Sequence, residues 1–300
     1  MKILLTGKDG QVGFELQRAL APLGTVAAVG RASCDLADEA ALRALVREVR
    51  PDVIVNAAAY TAVDRAESEQ AMAFAINSAA PRILGQEAAR AGALILHFST
   101  DHVFSGEQDR PYTERDVPEP CNVYGLSKYQ GELALAQACA RHVILRTSWV
   151  LGAHGRNFAR TVLRLGQERD GFGVVADQYG APTSAALLAD LCARLLHQYG
   201  HSQDFPFGTY HVAASGTTTW CDYARFVLGA AGAAGTPVKA GPEAVRALET
   251  QAYPTPARRP RSSRLDTALF CTTFGLRLPP WEEGVQTVLQ QILESERCSN

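Results

Sequence analysis

The first half of the chain alternates short apolar runs with longer segments whose apolar residues recur at helical spacing. The apolar runs, each long enough for one buried strand, are residues 2–6, 25–29, 52–58, 93–98 and 142–146. The segments that predict helices are residues 14–23, 40–49, 72–91 and the stretch after residue 123. Because the strands are apolar on both faces and alternate with helices, they predict an α/β fold with a doubly wound parallel sheet of the Rossmann type.

The pattern loses its regularity after Trp149. Helices are predicted at residues 157–168, 187–199 and 222–230, and short strands at residues 173–176 and 209–213. Residues 235–265 contain five prolines, at positions 237, 242, 254, 256 and 260. A segment so rich in proline is expected to wrap a surface rather than build a sheet, so the second half predicts a smaller and irregular lobe.

A glycine-rich loop, GKDGQVG at residues 7–13, directly follows the first predicted strand and precedes a helix. This context is typical of a dinucleotide-binding loop, in which Gly7, Gly10 and Gly13 let the backbone approach a pyrophosphate. The N-terminus of the helix supplies N–H donors to the same anion. We therefore expect residues 1–150, with the helix at 187–199, to form an NAD(P)-binding domain and residues 151–300 to form mostly the substrate-binding lobe.

A tyrosine and a lysine lie four residues apart in the sequence YGLSK at residues 124–128. On a helix such residues share one face, so Tyr124 and Lys128 can reach the same ligand. A free tyrosine titrates near pH ~10, and a neighbouring ammonium is expected to lower its pKa toward neutrality. The pair is therefore a candidate for proton transfer at a carbonyl or an alcohol.

Composition and charge indicate which classes of binding partner are not expected. A net charge of −2 gives no electrostatic reason to expect nucleic acid or an anionic membrane. No apolar run approaches ~18 residues, and the N-terminal run is too short for a signal peptide, so no membrane partner is expected. The seven cysteines, at 34, 121, 139, 192, 221, 271 and 298, lack C-x-x-C spacing, which favours reduced thiols in a cytoplasmic protein and argues against a zinc site.

Sequence blocks spread from Lys2 to past Leu265 resemble one enzyme family. They are KILLTGKDGQVGFELQ, PDVIVNAAAYTAVDRAESE, STDHVFSG, NVYGLSKYQGE, LRTSWV, DQYGAPT, GTTTWCDYA and AYPTPARRPRSSRLD. The glycine loop, Thr100 and the Y-x-x-x-K pair resemble the extended short-chain dehydrogenase/reductases, and the blocks together resemble the dTDP-4-dehydrorhamnose reductases within them. The resemblance implies that NAD(P)H reduces the C4 ketone of dTDP-6-deoxy-L-lyxo-4-hexulose to give dTDP-L-rhamnose.

The resemblance also implies roles for individual residues. Tyr124 would donate the proton to the substrate oxygen, Lys128 would hold the nicotinamide ribose and lower the pKa of Tyr124, and Thr100 would hydrogen-bond the carbonyl. Asp101 and Trp149 would contact the substrate together with Thr100. The residues expected at the cofactor, from the loop and the resemblance together, are Gly7, Gly10, Gln11, Val12, Gly13, Arg31, Asp35, Leu36, Ala59, Tyr60, Thr61, Tyr124 and Lys128.

Two departures from the family's pattern concern a side chain and a metal. His102 stands where the family commonly has tyrosine, and we assign it no proton role. Ala186 replaces a glutamate of the family's metal-linked dimers, although Glu15 and Asp190 are present. Mg²⁺ is therefore doubtful, no residue is assigned as a metal ligand, and a homodimer is left open.

A third departure bears on the choice of cofactor. An acid at the end of the second strand would hydrogen-bond the ribose 2′-OH and repel a 2′-phosphate, but this chain has Gly30 there. Arg31 follows directly and can accommodate the phosphate through charge-assisted hydrogen bonds. We therefore predict that NADPH is preferred and that NADH is also accepted.

An arginine-rich segment lies near the C-terminal prolines. It contains Arg258, Arg259, Arg261 and Arg264. Guanidinium groups suit phosphate oxygens, so the segment predicts either contact with the substrate diphosphate or a solvated loop, with no single arginine chosen.

Two other functions stay open at this stage. A non-catalytic, NADP-binding regulatory subunit of methionine adenosyltransferase resembles the same family, but it would not need the complete set of Thr100, Tyr124 and Lys128 found here. A related nucleotide-sugar epimerase or dehydratase is the second alternative, because the 4,6-dehydratases use acidic residues beside the threonine and Asp101 is one.

Overall fold

The computed structural model describes residues 1–299; Asn300, the last residue of the predicted substrate lobe, and the side chains of residues 296–299, which include Cys298, lie outside the described part. The strands are β1 Lys2–Thr6, β2 Thr25–Val29, β3 Val53–Asn56, β4 Leu94–Thr100, β5 His142–Thr147, β6 Val150–Leu151, β7 Phe172–Val175, β8 Tyr179–Gly180, β9 Thr183–Ser184, β10 Gly208–His211, β11 Thr218–Thr219 and β12 Val245–Leu248. The α-helices are α1 Gln11–Leu20, α2 Glu39–Val49, α3 Val63–Ala66, α4 Gln70–Phe74, α5 Ala80–Ala91, α6 Val123–Ala138, α7 Phe158–Glu168, α8 Ala185–His201, α9 Trp220–Ala233, α10 Ala268–Phe274 and α11 Trp281–Ser299.

The main sheet confirms the predicted doubly wound parallel fold. Within residues 1–299 it has six strands in the order β10-β5-β4-β3-β1-β2, all of them parallel. The order reverses around β1, whose neighbours are β2 on one side and β3 on the other. At such a reversal the carboxyl ends of the strands border a crevice in which ligands bind.

Helices bury both faces of this sheet. Successive residues of a strand point to opposite faces, and Leu5 packs with Leu16 of α1 and Leu195 of α8, whereas Leu4 packs on the other side with Leu42 of α2. This double burial is the reason that the strands read as uninterrupted apolar runs in the sequence.

The helix predicted at residues 72–91 contains one wide turn. The chain is helical from Gln70 to Ala91, but residues Ala75–Ala79 form a π-helical turn. Asn77 in this turn accepts a hydrogen bond from the backbone N–H of Tyr60 at 2.8 Å and donates to the carbonyl of Tyr60 and to the hydroxyl of Ser127, each at 3.0 Å. The turn therefore fixes α6 against the loop that follows β3.

A separate apolar core lies among α7, α9, α11 and the pair β7–β12. Val245 of β12 is 1% exposed and faces this core, while Arg246 and Ala247 are exposed. The expectation that residues 235–265 build no sheet was therefore wrong. Only one residue in this four-residue strand is buried, so the sequence had no alternation that would have indicated it.

Candidate active site

The loop between β1 and α1 is held close to the ends of the neighbouring strands by its glycines. Gly7 has φ of 79°, and a Cβ at this position would lie 2.6 Å from the backbone nitrogen of Ala58. A Cβ at Gly13 would lie 1.9 Å from the carbonyl oxygen of Gly7. Gly10 caps α1 without a side-chain hydrogen bond, so the N–H groups of the first helical turn are left for an anionic ligand.

A cavity of about 730 Å³ lies beside this loop, within the range of roughly 300–1,000 Å³ that is typical of small-molecule sites. Its wall contains these predicted residues: Gly7, Gly10, Gln11, Val12, Arg31, Asp35, Leu36, Ala59, Thr61, Thr100, Asp101, Tyr124, Lys128 and Trp149. The two other predicted residues lie behind the wall. Gly13 is buried against Gly7, and the hydroxyl of Tyr60 donates to Glu69 at 2.6 Å.

Helix α6 places Tyr124 and Lys128 on the wall of the cavity, one helical turn apart. Asn122 caps the N-terminus of this helix, and its side-chain oxygen accepts a hydrogen bond from the N–H of Gly125 at 2.8 Å. A Cβ at Gly125 would lie 2.1 Å from the carbonyl of His102, so a glycine here lets the helix approach the turn after β4. The ring of His102 lies 5.4 Å from the ring of Tyr124.

The end of β4 contributes polar groups to the cavity. Thr100 donates from its hydroxyl to Asp101 Oδ1 at 2.9 Å and accepts from the N–H of His102 at 3.1 Å. Across residues 1–299, Asp101 Oδ2 and the hydroxyl oxygens of Ser99 and Thr147 are buried without a hydrogen-bond partner, and all three residues line the cavity. Buried polar atoms are nearly always bonded, so this end of the cavity suits a ligand with several hydroxyl groups.

The pKa values of Tyr124 and Lys128 differ from the prediction. Burial raises the pKa of Tyr124 to about 12, with the Thr100 hydroxyl acting in the opposite direction. Lys128 donates instead to the carbonyl of Phe98 at 2.6 Å, and burial lowers its pKa to about 8. The expectation that Lys128 lowers the pKa of Tyr124 is therefore wrong in this structure, because burial of the phenol outweighs any help from the amine.

The acid missing from the end of β2 has a substitute in the glycine loop. A Cβ at Gly30 would lie 1.9 Å from Asp9 Oδ2, so the carboxylate of Asp9 occupies the space that a side chain at position 30 would take. Lys8 donates to the other oxygen of Asp9 at 2.7 Å. Asp9, Gly30 and Arg31 together line one end of the cavity. The sequence at the end of β2 alone does not indicate Asp9.

Segments from the second half of the chain form the opposite wall. Gln11 accepts hydrogen bonds from the N–H of Gly152 at 2.7 Å and from Asn157 at 3.1 Å, which ties the glycine loop to the segment after Trp149. Trp149 has φ of 45°, an uncommon conformation for a bulky residue that often marks a functional position. Its ring stacks on that of Trp220 with centroids 3.7 Å apart, and both line the cavity.

The sequence matches known proteins over nearly its whole length. The matching family model is that of the RmlD substrate binding domain, which covers residues 1–294. The chain belongs to the RmlD substrate binding domain family. It is 49% identical over 296 residues to the dTDP-4-dehydrorhamnose reductase of Escherichia coli K12, covering 97% of this chain and 98% of that protein.

Solved structures agree with this RmlD family membership. A dTDP-4-dehydrorhamnose reductase from Clostridium acetobutylicum superposes with a TM-score of 0.90 at 32% identity, covering 98% of this chain and 100% of that one. A dTDP-4-dehydrorhamnose reductase from Bacillus anthracis, solved in complex with NADP, has a TM-score of 0.86 at 33% identity, with 97% and 100% covered. The resemblance read from the sequence motifs is confirmed.

In this member of the RmlD family, the cavity distinguishes among the four clustered arginines. Arg259 lines the cavity and pairs with Asp64 at 2.8 Å. Arg258 pairs with Glu107 outside it, while Arg261 and Arg264 line a separate pocket of about 190 Å³. The structure therefore singles out Arg259, which sequence reasoning could not select. Further cavity residues that it did not assign are Ser99, His102, Thr147, Arg156, Gln178, Trp220 and Ser263.

The described part of this RmlD family member bears on metal binding and on membrane insertion. Glu15 lies 3.6 Å from Arg18, and the described side chains contain no group of three or more His, Cys, Asp or Glu residues arranged to hold a metal ion. Among residues 1–299, none of the helices combines the length and apolar character needed to span a bilayer.

Proposed function

We propose that this protein reduces the C4 ketone of dTDP-6-deoxy-L-lyxo-4-hexulose with NADPH to give dTDP-L-rhamnose, and that NADH also serves. The observation that carries the proposal is that Thr100, Tyr124 and Lys128 line one cavity with the glycine loop. The relatives named dTDP-4-dehydrorhamnose reductase support the choice of substrate, and the NADP bound by the Bacillus anthracis relative supports the cofactor.

The residues present fit a dinucleotide. The uncapped first turn of α1 offers N–H donors to a pyrophosphate, and Gly10, Gln11 and Val12 lie at that turn. Asp35, Leu36, Ala59 and Thr61 line the part of the cavity assigned to the adenosine half, and Tyr60 supports it from behind. When bound, the nicotinamide supplies a hydride to the ketone carbon.

The protein residues supply the proton and hold the substrate. Tyr124 gives its O–H proton to the ketone oxygen, and its raised pKa keeps that proton in place until the oxygen develops negative charge. Thr100 turns its hydroxyl away from Asp101 Oδ1 to donate to the same oxygen, and the free oxygen of Asp101 accepts from a sugar hydroxyl. Trp149 packs on a flat face of the ligand, and Arg259 contacts the diphosphate.

The arrangement of the chain supports separate binding regions for the cofactor and the substrate. Residues 1–150 together with α8, which packs on α1, are assigned to the cofactor, and most of residues 151–300 to the sugar nucleotide. A cytoplasmic location is supported by the free thiols of the cysteines from Cys34 to Cys271. Whether the protein forms a homodimer is tested by light scattering of the purified protein.

The reaction is tested with purified protein, the ketosugar nucleotide and NADPH. Cofactor absorbance should fall only when the ketosugar is present, and dTDP-L-rhamnose should form. Tight NADPH binding without turnover would favour the regulatory-subunit alternative. Conversion of a nucleotide sugar without net oxidation of the cofactor would favour the epimerase or dehydratase alternative.

A further inference from the structure

A buried histidine that has no part in the proposed reaction lies directly beside Lys128. His97 Nε2 is 3.2 Å from Lys128 Nζ, and His97 Nδ1 is 3.0 Å from the side-chain nitrogen of Asn56. Asn56 and His97 are 0% exposed and Lys128 is 2% exposed. The three side chains form a row from the end of β3 through β4 to α6, in which each group must find its partner within the protein.

The amide of Asn56 fixes the direction of hydrogen bonding along this row. Asn56 Oδ1 accepts from the N–H of Ala58 at 3.2 Å and from the hydroxyl of Thr6 at 2.7 Å. Because a backbone N–H can only donate, the amide oxygen must face Ala58, and the amide nitrogen must face His97. That nitrogen also only donates, so His97 Nδ1 is an acceptor and carries no proton. A neutral imidazole then carries its proton on Nε2.

In this tautomer, the Nε2–H group of His97 is a hydrogen-bond donor that faces the side-chain nitrogen of Lys128. If the amine is charged, two donors oppose each other at 3.2 Å. If the amine is neutral, it accepts from His97 Nε2–H and still donates to the carbonyl of Phe98 at 2.6 Å. The row therefore favours the neutral amine, in agreement with the lowering of the Lys128 pKa by burial, while Glu132 on the same helix acts in the opposite direction. Burial also keeps the pKa of His97 well below its ordinary value, so the imidazole stays neutral.

We propose that His97 is a positioning residue whose fixed tautomer makes Lys128 an exchangeable acid rather than a permanent cation. The inference rests on the proposed reduction. After Tyr124 has given its proton to the substrate oxygen, an N–H bond of the Lys128 ammonium breaks and the O–H bond of Tyr124 re-forms. The neutral amine that remains then takes up, from the buffered solvent, the one proton that each reduction consumes. An amine that titrates near the working pH can repeat this exchange in every turnover.

The test begins with the titration of Lys128 in protein without added ligand. The chain has four lysines, at 2, 8, 128 and 239, and Lys128 is the buried one, so labelling lysine with ¹³C at Cε gives few signals to assign. The Lys128 signal should titrate near the pKa of about 8. In Asn56→Asp, the carboxylate accepts from His97 Nδ1–H, so Nε2 becomes an acceptor for the ammonium. The pKa of Lys128 should then rise by about one unit or more, the effect of one hydrogen bond to a charged group.

Two controls separate the effect of the His97 tautomer on the pKa of Lys128 from other effects of the substitution. Thr6→Val removes one bond to Asn56 but leaves its amide donating to His97, so the pKa of Lys128 should not change. The negative charge added in Asn56→Asp also raises the pKa of Lys128 by itself. The rise should therefore be larger with His97 present than in the His97→Phe background, and an equal rise in both backgrounds would overturn the proposal.

The wild-type protein supplies a test that needs no variant. ¹⁵N spectra should show His97 protonated at Nε2, and protonation at Nδ1 would overturn the proposal. In the reductase assay, the pKa of the alkaline limb in the pH profile of kcat should rise in Asn56→Asp by the same amount as the pKa of Lys128. A uniform loss of kcat at every pH would count against the proposal. Because the spectra require no substrate, they decide this inference even if the proposed reaction fails.

Discussion

The two opposite charges beside Gly30 should decide which cofactor this protein prefers. Arg31 can bond a 2′-phosphate, whereas the carboxylate of Asp9 repels it and accepts a hydrogen bond from an unmodified 2′-OH. We therefore expect Arg31→Ala and Asp9→Asn to change the ratio of NADPH to NADH affinity in opposite directions.

The exposure of both side chains sets the size of the effect. The side chain of Asp9 is 65% exposed, and Arg31 is exposed as well. A hydrogen bond to a charged group contributes about 1.5–3 kcal/mol, and the lower end applies where solvent screens the charge. Arg31→Ala should therefore weaken NADPH binding by about 1.5 kcal/mol, roughly tenfold in Kd, and leave NADH nearly unchanged. Asp9→Asn should favour NADPH over NADH by up to about the same factor.

Calorimetric titration of each variant with both reduced cofactors at one ionic strength measures these ratios. Arg18→Ala is the matched control, because Arg18 is a 76% exposed arginine on α1 that pairs with Glu15 and does not line the cavity. An equal loss for both cofactors in Arg31→Ala would refute the reasoning, as would a wild-type preference for NADH. A shift toward NADH in Asp9→Asn would refute the role given to that carboxylate.

Three further predictions follow from the site and the core. Tyr124→Phe should lower kcat by roughly 10²–10⁴ with little change in NADPH affinity, and near-normal turnover would remove Tyr124 from the mechanism. Chelator should leave activity unchanged because Ala186 lacks a carboxylate, and activity lost to chelator but restored by Mg²⁺ would contradict this. Arginines hold the pKa of buried Glu87 at about 2 against an ordinary 4.5, so its stabilisation is present above pH 4.5 and lost as the pH falls toward 2. Urea titrations should show Glu87→Gln less stable at pH 7 by about 2 kcal/mol and less sensitive to acid, and an unchanged acid response would contradict this.

The features that the sequence predicted correctly depend on short stretches of chain. The apolar runs predicted the sheet because its strands are buried on both faces. The spacing of Tyr124 and Lys128 placed both on one face of a helix, and the glycines at 7 and 13 matched the close approaches found in the loop. The structure brings these groups to one cavity, and their roles in catalysis and cofactor binding stay predictions.

The features that the sequence missed depend on residues far apart in the chain. Asp9 reaches the space over Gly30, Arg259 reaches the cavity through a pairing with Asp64, and no pattern within a segment reports such contacts. The raised pKa of Tyr124 comes from burial, which the spacing of Tyr124 and Lys128 does not reveal. Helices α10 and α11 lie beyond the last element that was predicted, although the apolar residues of α11, from Trp281 to Ile292, recur at helical spacing in the sequence.

The strand order limits how this protein can be cut or recombined. Strand β10 completes the sheet beside β5, and helix α8 covers α1, yet both come from residues after 150. A fragment that ends at residue 150 would leave β5 as an open edge and would expose Leu16 and Leu20 of α1 to water. Such a fragment should aggregate when expressed alone. Chimeras of related reductases should therefore exchange single loops of the cavity wall rather than the two halves.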